Sequence, residues 1–231
     1  MEVPDGGFKV VLIDSPWRYK NWSDTAHGSH KPHYEGLTYE QLAPIPVDEW
    51  AAKDAILLQW GTWPKLDQAL DLIRDWNFDY VTGFPWVKTT ADLTKIRRGV
   101  GFWSMGCTEF VLIGRRGKPK VNKVKPNVLG LLCGSERSFW GPRPRGGDHS
   151  NKPYTLHEWA EEKVDGPYLE LFAREPREGW TCWGHELGQH VYGEGVITVA
   201  EAVALGLIPD GASGVPESHR ESDADAWLEG F

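Results

Sequence analysis

Lys9-Val10-Val11-Leu12-Ile13 leads directly into Asp14-Ser15-Pro16-Trp17. The run of aliphatic, largely β-branched side chains reads as a strand buried on both faces. Such a strand belongs inside a sheet covered by helices, and the tetrapeptide then stands in a loop at its carboxyl end. Pro16 disfavours helical geometry for Ser15 and keeps the strand end extended. In open α/β sheets ligands bind outside the carboxyl ends of the strands, so the place of the tetrapeptide matters as much as its composition.

Outward from this strand the chain alternates. A loop runs through Gly36, and Thr38 opens a short helix with Glu40 and Gln41 in its first turn. Residues 54–60 (Asp-Ala-Ile-Leu-Leu-Gln-Trp) read as a second strand, and 64–76 as a helix whose Leu66, Ala69, Leu70 and Ile73 share one face. Further strands are expected at 79–88, 108–114 and 168–174, and Lys152-Pro153 opens a helix running to about residue 163. Alternation of this kind predicts an α/β fold, a mixed and mostly parallel sheet flanked by helices.

A chain of 231 residues suits one such domain with a substantial core. Its three cysteines, Cys107, Cys133 and Cys182, have no paired metal-ligand spacing. Neither a leader segment nor an apolar run approaching a membrane span is present. These features predict a reduced, cytoplasmic protein with no metal and no membrane contact. A phosphate loop, a zinc-protease helix and a complete dinucleotide fingerprint are all missing, and 141–147 (Gly-Pro-Arg-Pro-Arg-Gly-Gly) reads as a positively charged loop.

The net charge of −8 is unevenly spread. Residues 194–231 carry eight acids and one base, and the remainder is nearly neutral with 24 basic and 25 acidic residues. Within it Arg115, Arg116, Lys118, Lys120, Lys123 and Lys125 form one positive stripe, and Lys95, Arg97 and Arg98 a second. Stripes of this kind are either solvated loops or phosphate contacts. Thirteen tryptophans is a heavy load for this length; most pack in cores or rims, and those at loop ends are able to face a base.

Asp-x-Pro-Trp after a strand is an ordinary turn sequence, with Asp initiating and Pro fixing the backbone. It is also a chemical grip for an amino group. An exocyclic amine of the adenine type has its lone pair delocalised into the ring. Methylating it requires acceptors for its two hydrogens, here the Asp14 carboxylate and the Ser15 carbonyl, and a flat wall for the base, here Trp17.

A series of further pieces follows: His33-Tyr34-Glu35-Gly36-Leu37-Thr38, Trp86-Val87-Lys88-Thr89, Gly101-Phe102-Trp103 with Glu109 beyond, His149-Ser150-Asn151-Lys152-Pro153, Leu171-Phe172-Ala173-Arg174 and Trp183-Gly184-His185-Glu186-Leu187. With Asp14-Ser15-Pro16-Trp17 at its head, this order closely resembles the β-class adenine-N6 methyltransferases that carry an Asp-Pro-Pro-Trp motif, the family of the catalytic subunit of the eukaryotic messenger-RNA adenine methyltransferase. The resemblance covers about residues 9 to 190 and implies a Rossmann-like, class I methyltransferase fold. It implies S-adenosyl-L-methionine as cofactor, held by Lys152, Phe172, Arg174, His185 and Glu186. It places Asp14, Ser15, Pro16 and Trp17 at the target amine, and Tyr34, Trp86, Lys88 and Trp103 around the acceptor base. The implied partner is nucleic acid, DNA ahead of RNA, with a non-catalytic nucleic-acid-binding relative as the alternative, and the implied state is a monomer or homodimer of bacterial or phage type.

Three departures from the family pattern stand out. Ser15 replaces the first proline, which keeps the carbonyl acceptor and gives up a fixed backbone angle. His185 stands where the family usually has Asn, which introduces a group that titrates near neutrality. The first strand begins close to the chain start, so any cofactor contact made upstream in longer relatives is missing or replaced. The methyltransferase domain is expected over 1–193. An acidic extension is expected over 194–231, with Thr198-Val199-Ala200-Glu201 capping a short helix at 202–207 ahead of a flexible tail.

Overall fold

The computed structural model describes residues 3–19, 36–89, 95–96, 103–122, 140–141, 152–192 and 195–198. The opening strand forms as β1 (Phe8–Asp14) and lies inside a seven-stranded sheet. The other strands are β2 (Ala51–Gly61), β3 (Asp79–Lys88), β4 (Thr108–Arg116), β5 (Trp140–Gly141), β6 (Tyr168–Leu171) and β7 (Trp180–Trp183). Their spatial order is β5-β3-β4-β2-β1-β6-β7. β1 pairs in parallel with β2 and β6, β6 with β7, and β3 with β5, while β4 is antiparallel to both β2 and β3. Only β4 therefore runs against the rest, and the sheet is mixed and mostly parallel, as expected.

The alternation of side chains along β1 and β2 divides the interior in two. Val11 and Ile13 of β1 and Ala55 and Leu57 of β2 point into a core roofed by three helices, α1 (Tyr39–Leu42), α2 (Val47–Trp50) and α3 (Leu66–Asp75), through Leu42, Val47, Ala69, Leu72 and Ile73. Val10 and Leu12 with Ile56, Leu58 and Trp60 point the other way, against Leu156 and Ala160 of α4 (Thr155–Lys163). Phe8 joins the first core rather than the second, and the β1–β2 register shifts between Phe8 and Val10. Burial of β1 on both faces is what its continuous apolar run requires. None of the described helices is long and apolar enough to cross a membrane.

Several bounds differ from the sequence expectation for local reasons. The helix of 64–76 begins as a 3-10 turn, Trp63–Lys65, with Pro64 inside it, before α3 takes over. The strand expected over 168–174 stops at Leu171 because Phe172 adopts a left-handed backbone, φ 62°. Two short pieces escape a periodicity reading altogether, α2 and β7. A hairpin, β8 (Gln189–Tyr192) and β9 (Gly195–Thr198), spans the 193/194 position. Thr198 closes β9, and the helix expected at 202–207 lies outside the described residues, as does the acidic tail.

β6 and β7 remain in contact beyond their ends. The Ala173 N–H donates to the Trp183 carbonyl at 3.0 Å, and Gly184 lies so close that a Cβ there would stand 1.9 Å from the Ala173 carbonyl oxygen. Gly184→Ala is therefore expected to push the two strand ends apart and to cost about 1–3 kcal/mol, the usual range for overpacking. Urea unfolding, with an unchanged denaturant slope and a lower midpoint, is the check.

Candidate active site

Because β4 alone is reversed, its amino end lies on the same sheet edge as the carboxyl ends of β1, β2, β3, β6 and β7. Asp14 closes β1 beside Trp60, Lys88 closes β3, and Glu109 stands second in β4, opposite Trp86. Lys152 arrives from the turn before α4. The Lys152 ammonium lies 2.9 Å from Asp14 Oδ2 and 3.4 Å from Glu109 Oε2, and Lys88 donates to Glu109 Oε1. Two carboxylates and two ammonium groups thus alternate in one chain, Asp14 to Lys152 to Glu109 to Lys88, with no net charge when all are ionised.

The floor beneath them is aromatic. Trp60 and Trp86 meet edge to face at 5.7 Å, Lys152 Nζ lies 5.8 Å over Trp60, and Lys88 Nζ 5.2 Å over Trp86. Such a floor lowers the local dielectric, which strengthens the ion pairs and raises the cost of each charge. The two carboxyls respond differently. Burial outweighs the help of Lys152 at Asp14, with Glu109 adding repulsion and Arg174 a little relief, so the Asp14 carboxyl is pushed above its ordinary 3.8. Burial also acts on Glu109, but Lys152 and Lys88 together prevail and hold it below its ordinary 4.5.

The loop after β1 is held by backbone bonds. The Trp17 N–H donates to the Ser15 carbonyl at 2.9 Å, leaving that oxygen one further lone pair, and the Leu37 N–H donates to the Pro16 carbonyl at 2.6 Å. Arg18 clasps the same neighbouring segment, from its N–H to the Leu37 carbonyl and from Nε to the Gly36 carbonyl, both at 2.9 Å. A Cβ at Gly36 would lie 2.6 Å from the Trp17 carbonyl oxygen, so this approach needs glycine. The Ser15 hydroxyl is buried and has no hydrogen-bond partner among the described residues.

Trp17 itself is only 7 % exposed and belongs to the core beneath α1 and α3. The Lys65 ammonium lies 5.4 Å over its ring. It packs as an interior side chain, in contrast to the open wall expected from the sequence.

Of the residues expected to hold a cofactor, Phe172, Arg174 and His185 follow the ends of β6 and β7. β6 is the direct neighbour of β1, and Leu171 pairs with both Ile13 and Trp183. Phe172 and Arg174 follow on one strand end, and Gly184 and the half-buried His185 on the next. Arg174 is near enough for its charge to act on Asp14. Lys152 is the exception in orientation, since its ammonium faces Asp14 and Glu109. Trp86 is buried, Lys88 is bound to Glu109, and Trp103 is wholly exposed with a left-handed backbone, φ 63°. Tyr34 lies outside the described residues, as do the Glu186 side chain and residues 142–151.

Two residue groups named in the sequence, but given no role at the site, find their places in the fold. Glu109 ties Lys152 to Lys88, and its signal was a lone acid beside the apolar run Phe110-Val111-Leu112-Ile113. The described part of the longer basic stripe lies elsewhere: Arg115 and Arg116 pair with Ile56 and Ala55, about 20–24 Å along β4 from Glu109 at the usual strand rise. Arg97, Arg98, Lys123 and Lys125 are outside the described residues.

The opposite shifts of the two carboxyls separate their effects on stability. Glu109 is stabilising above its ordinary value, and that contribution is lost as pH falls through its lowered native value. Asp14 binds its proton more tightly in the native state, so its ionisation costs stability from about 3.8 upward and still does so at neutral pH. Glu109→Gln is expected to lose about 1–3 kcal/mol at pH 7 and to flatten the acid limb of the stability curve. Asp14→Asn is expected to melt at the wild-type temperature or higher. Thermal denaturation of the three proteins between pH 4 and pH 8 measures both effects.

The chain is similar to known methyltransferases. The chain is 27 % identical over 204 residues to the Type II methyltransferase M.MunI of Mycoplasma sp, covering 80 % of each protein. It is 28 % identical over 212 residues to the human N(6)-adenine-specific methyltransferase METTL4, and 24 % identical over 186 residues to the N6-methyladenosine RNA methyltransferase MTA1 of Cryphonectria parasitica. These alignments take in 80 % and 78 % of this chain but only 39 % and 52 % of the two relatives, so the chain spans about half of their length or less. Residues 8–186 match MT-A70, a span that runs from the start of β1 to Glu186 and contains every charged group of the cluster, and the chain belongs to the MT-A70 family of methyltransferases.

Proposed function

We propose that this protein transfers a methyl group from S-adenosyl-L-methionine to the N6 amine of adenine in DNA. The observation that carries the reading is the convergence of Asp14, Lys152, Glu109 and Lys88 on one sheet edge, over Trp60 and Trp86 and beside the ends of β6 and β7.

The residues present fit such a cofactor. It carries a sulfonium and an ammonium, which suit Asp14 and Glu109, and a carboxylate, which suits Arg174 and Lys152. The ribose and base fall to Phe172, His185 and Glu186, next to the contact of Ala173 with Gly184 that leaves no room for a side chain. When bound, the cofactor supplies an electrophilic methyl.

The protein's own groups do the positioning. Asp14 accepts one hydrogen of the amine, and the remaining lone pair of the Ser15 carbonyl accepts the other, which fixes the nitrogen's direction. Lys152 steadies the Asp14 carboxylate from the opposite side. Asp14 need not be a strong base, because the methylated ammonium is acidic and can lose its proton afterwards. Holding reactants in near-attack geometry supplies roughly 7–11 kcal/mol of a barrier, and a base drawn out of a duplex costs a few kcal/mol.

The test is methyl transfer to mixed-sequence DNA and RNA, read as N6-methyladenine by mass spectrometry of the digested polymer. Transfer to DNA is expected, and Asp14→Asn is expected to lower kcat/KM at least about 100-fold, the scale seen when one aligned polar group is removed from a reacting centre. Transfer to RNA alone would move the substrate assignment. Transfer to neither, with measurable cofactor binding, sinks the enzymatic reading.

A further inference from the structure

Two aromatic residues follow Asp14 within five positions, and the fold treats them oppositely. Trp17 is turned into the core. Tyr19 stays at the surface, 40 % exposed, and its hydroxyl shares a hydrogen bond with Thr62 Oγ1 at 2.5 Å. Thr62 follows the carboxyl end of β2, directly beyond Gly61 and two residues past Trp60, the register partner of Asp14. The Tyr19 ring therefore bridges the loops that leave β1 and β2, beside the carboxylate at the end of β1.

We propose that Tyr19, in place of Trp17, is the aromatic wall of the acceptor pocket, the face against which the planar base lies while Asp14 takes its amine. This rests on the methyl-transfer reading given above.

Such a wall needs an accessible ring, a fixed orientation and a position beside the acceptor. Tyr19 has all three. One end of the ring is tied to Thr62, and the Lys65 ammonium lies 5.8 Å over it while also lying 5.4 Å over Trp17, so a single cation holds the surface ring against the buried one. Lys65 is itself fixed by Gln68 Oε1 at 2.9 Å. A ring ordered before the substrate arrives loses little freedom on binding. The hydroxyl is also close enough to Asp14, Glu109 and Lys152 for their charges to act on it. With burial as the largest cause, it is pushed up to about 12, so it remains protonated and the tether to Thr62 persists at working pH.

The experiment compares wild type, Tyr19→Ala and Tyr19→Phe for kcat and KM on mixed-sequence DNA and RNA, with calorimetric cofactor affinity and melting temperature measured on the same preparations. Loss of stacking is expected to lower kcat/KM of Tyr19→Ala by about tenfold or more, with cofactor affinity and melting temperature within error of wild type. Tyr19→Phe keeps the ring and gives up the tether, and is expected to recover most of that loss. An active wild type with Tyr19→Ala inside twofold of it overturns the wall and leaves the methyl-transfer reading intact. An equal loss of cofactor affinity in Tyr19→Ala also overturns the wall, by assigning the residue to the other ligand. A wild type that methylates neither polymer overturns both.

Discussion

The arrangement at the sheet edge depends on one ammonium group. Asp14 and Glu109 come from different strands and are brought to a single aromatic floor, where two carboxylates left to themselves would repel and one would take up a proton. Lys152 lies between them at 2.9 and 3.4 Å, and Lys88 completes the alternation from the end of β3. The fold supplies each member through a separate constraint. Burial on both faces fixes β1 and hence Asp14, the reversal of β4 delivers Glu109, and the turn into α4 delivers Lys152. Lys152 is thus tied by its contacts to Asp14 and Glu109 together.

Much of this was legible in the chain. A short apolar run rich in β-branched residues reads as a strand buried on both sides, and β1 is one. The bounds of 79–88 were read correctly because charged residues, Asp79 and Lys88, mark both ends. The Thr38 helix start holds too, with the Gln41 side chain returning to the Thr38 N–H at 2.9 Å. What failed to show has physical reasons. β7 is four residues with a tryptophan at each end and no long alternation. The stop at Leu171 is a backbone conformation at Phe172, and no side-chain pattern announces a phenylalanine at φ 62°. The direction of Trp17 depends on Lys65 and α3, fifty residues away, and the pairing of Lys152 with Glu109 depends on strand order.

Asp14 and Glu109 also show how a fold distributes the cost of a polar centre. Glu109, with a cation on either side, is better off folded than unfolded, and its charge helps hold the edge together. The ionised Asp14 is worse off in the folded protein than in the unfolded one, because its burial outweighs the help of Lys152. Lys152 favours the ionised form of both carboxyls; what separates them is that Glu109 has Lys88 as a second cation while burial prevails at Asp14.

The reversal of β4 also divides unlike charges between the two ends of one strand. The strand carries Glu109 at one end and Arg115 and Arg116 at the other, with Lys118 just past them. The carboxylate end is neutralised locally by Lys152 and Lys88, whereas the other end presents cationic groups on the far edge of the sheet. Long-range steering follows net charge, and the lysines near Asp14, each matched by a carboxylate, add none. For the proposed substrate, the cationic end of β4 and the end beside Asp14 are opposite ends of one strand, and added salt screens exposed charge contacts more than stacking and hydrogen bonding.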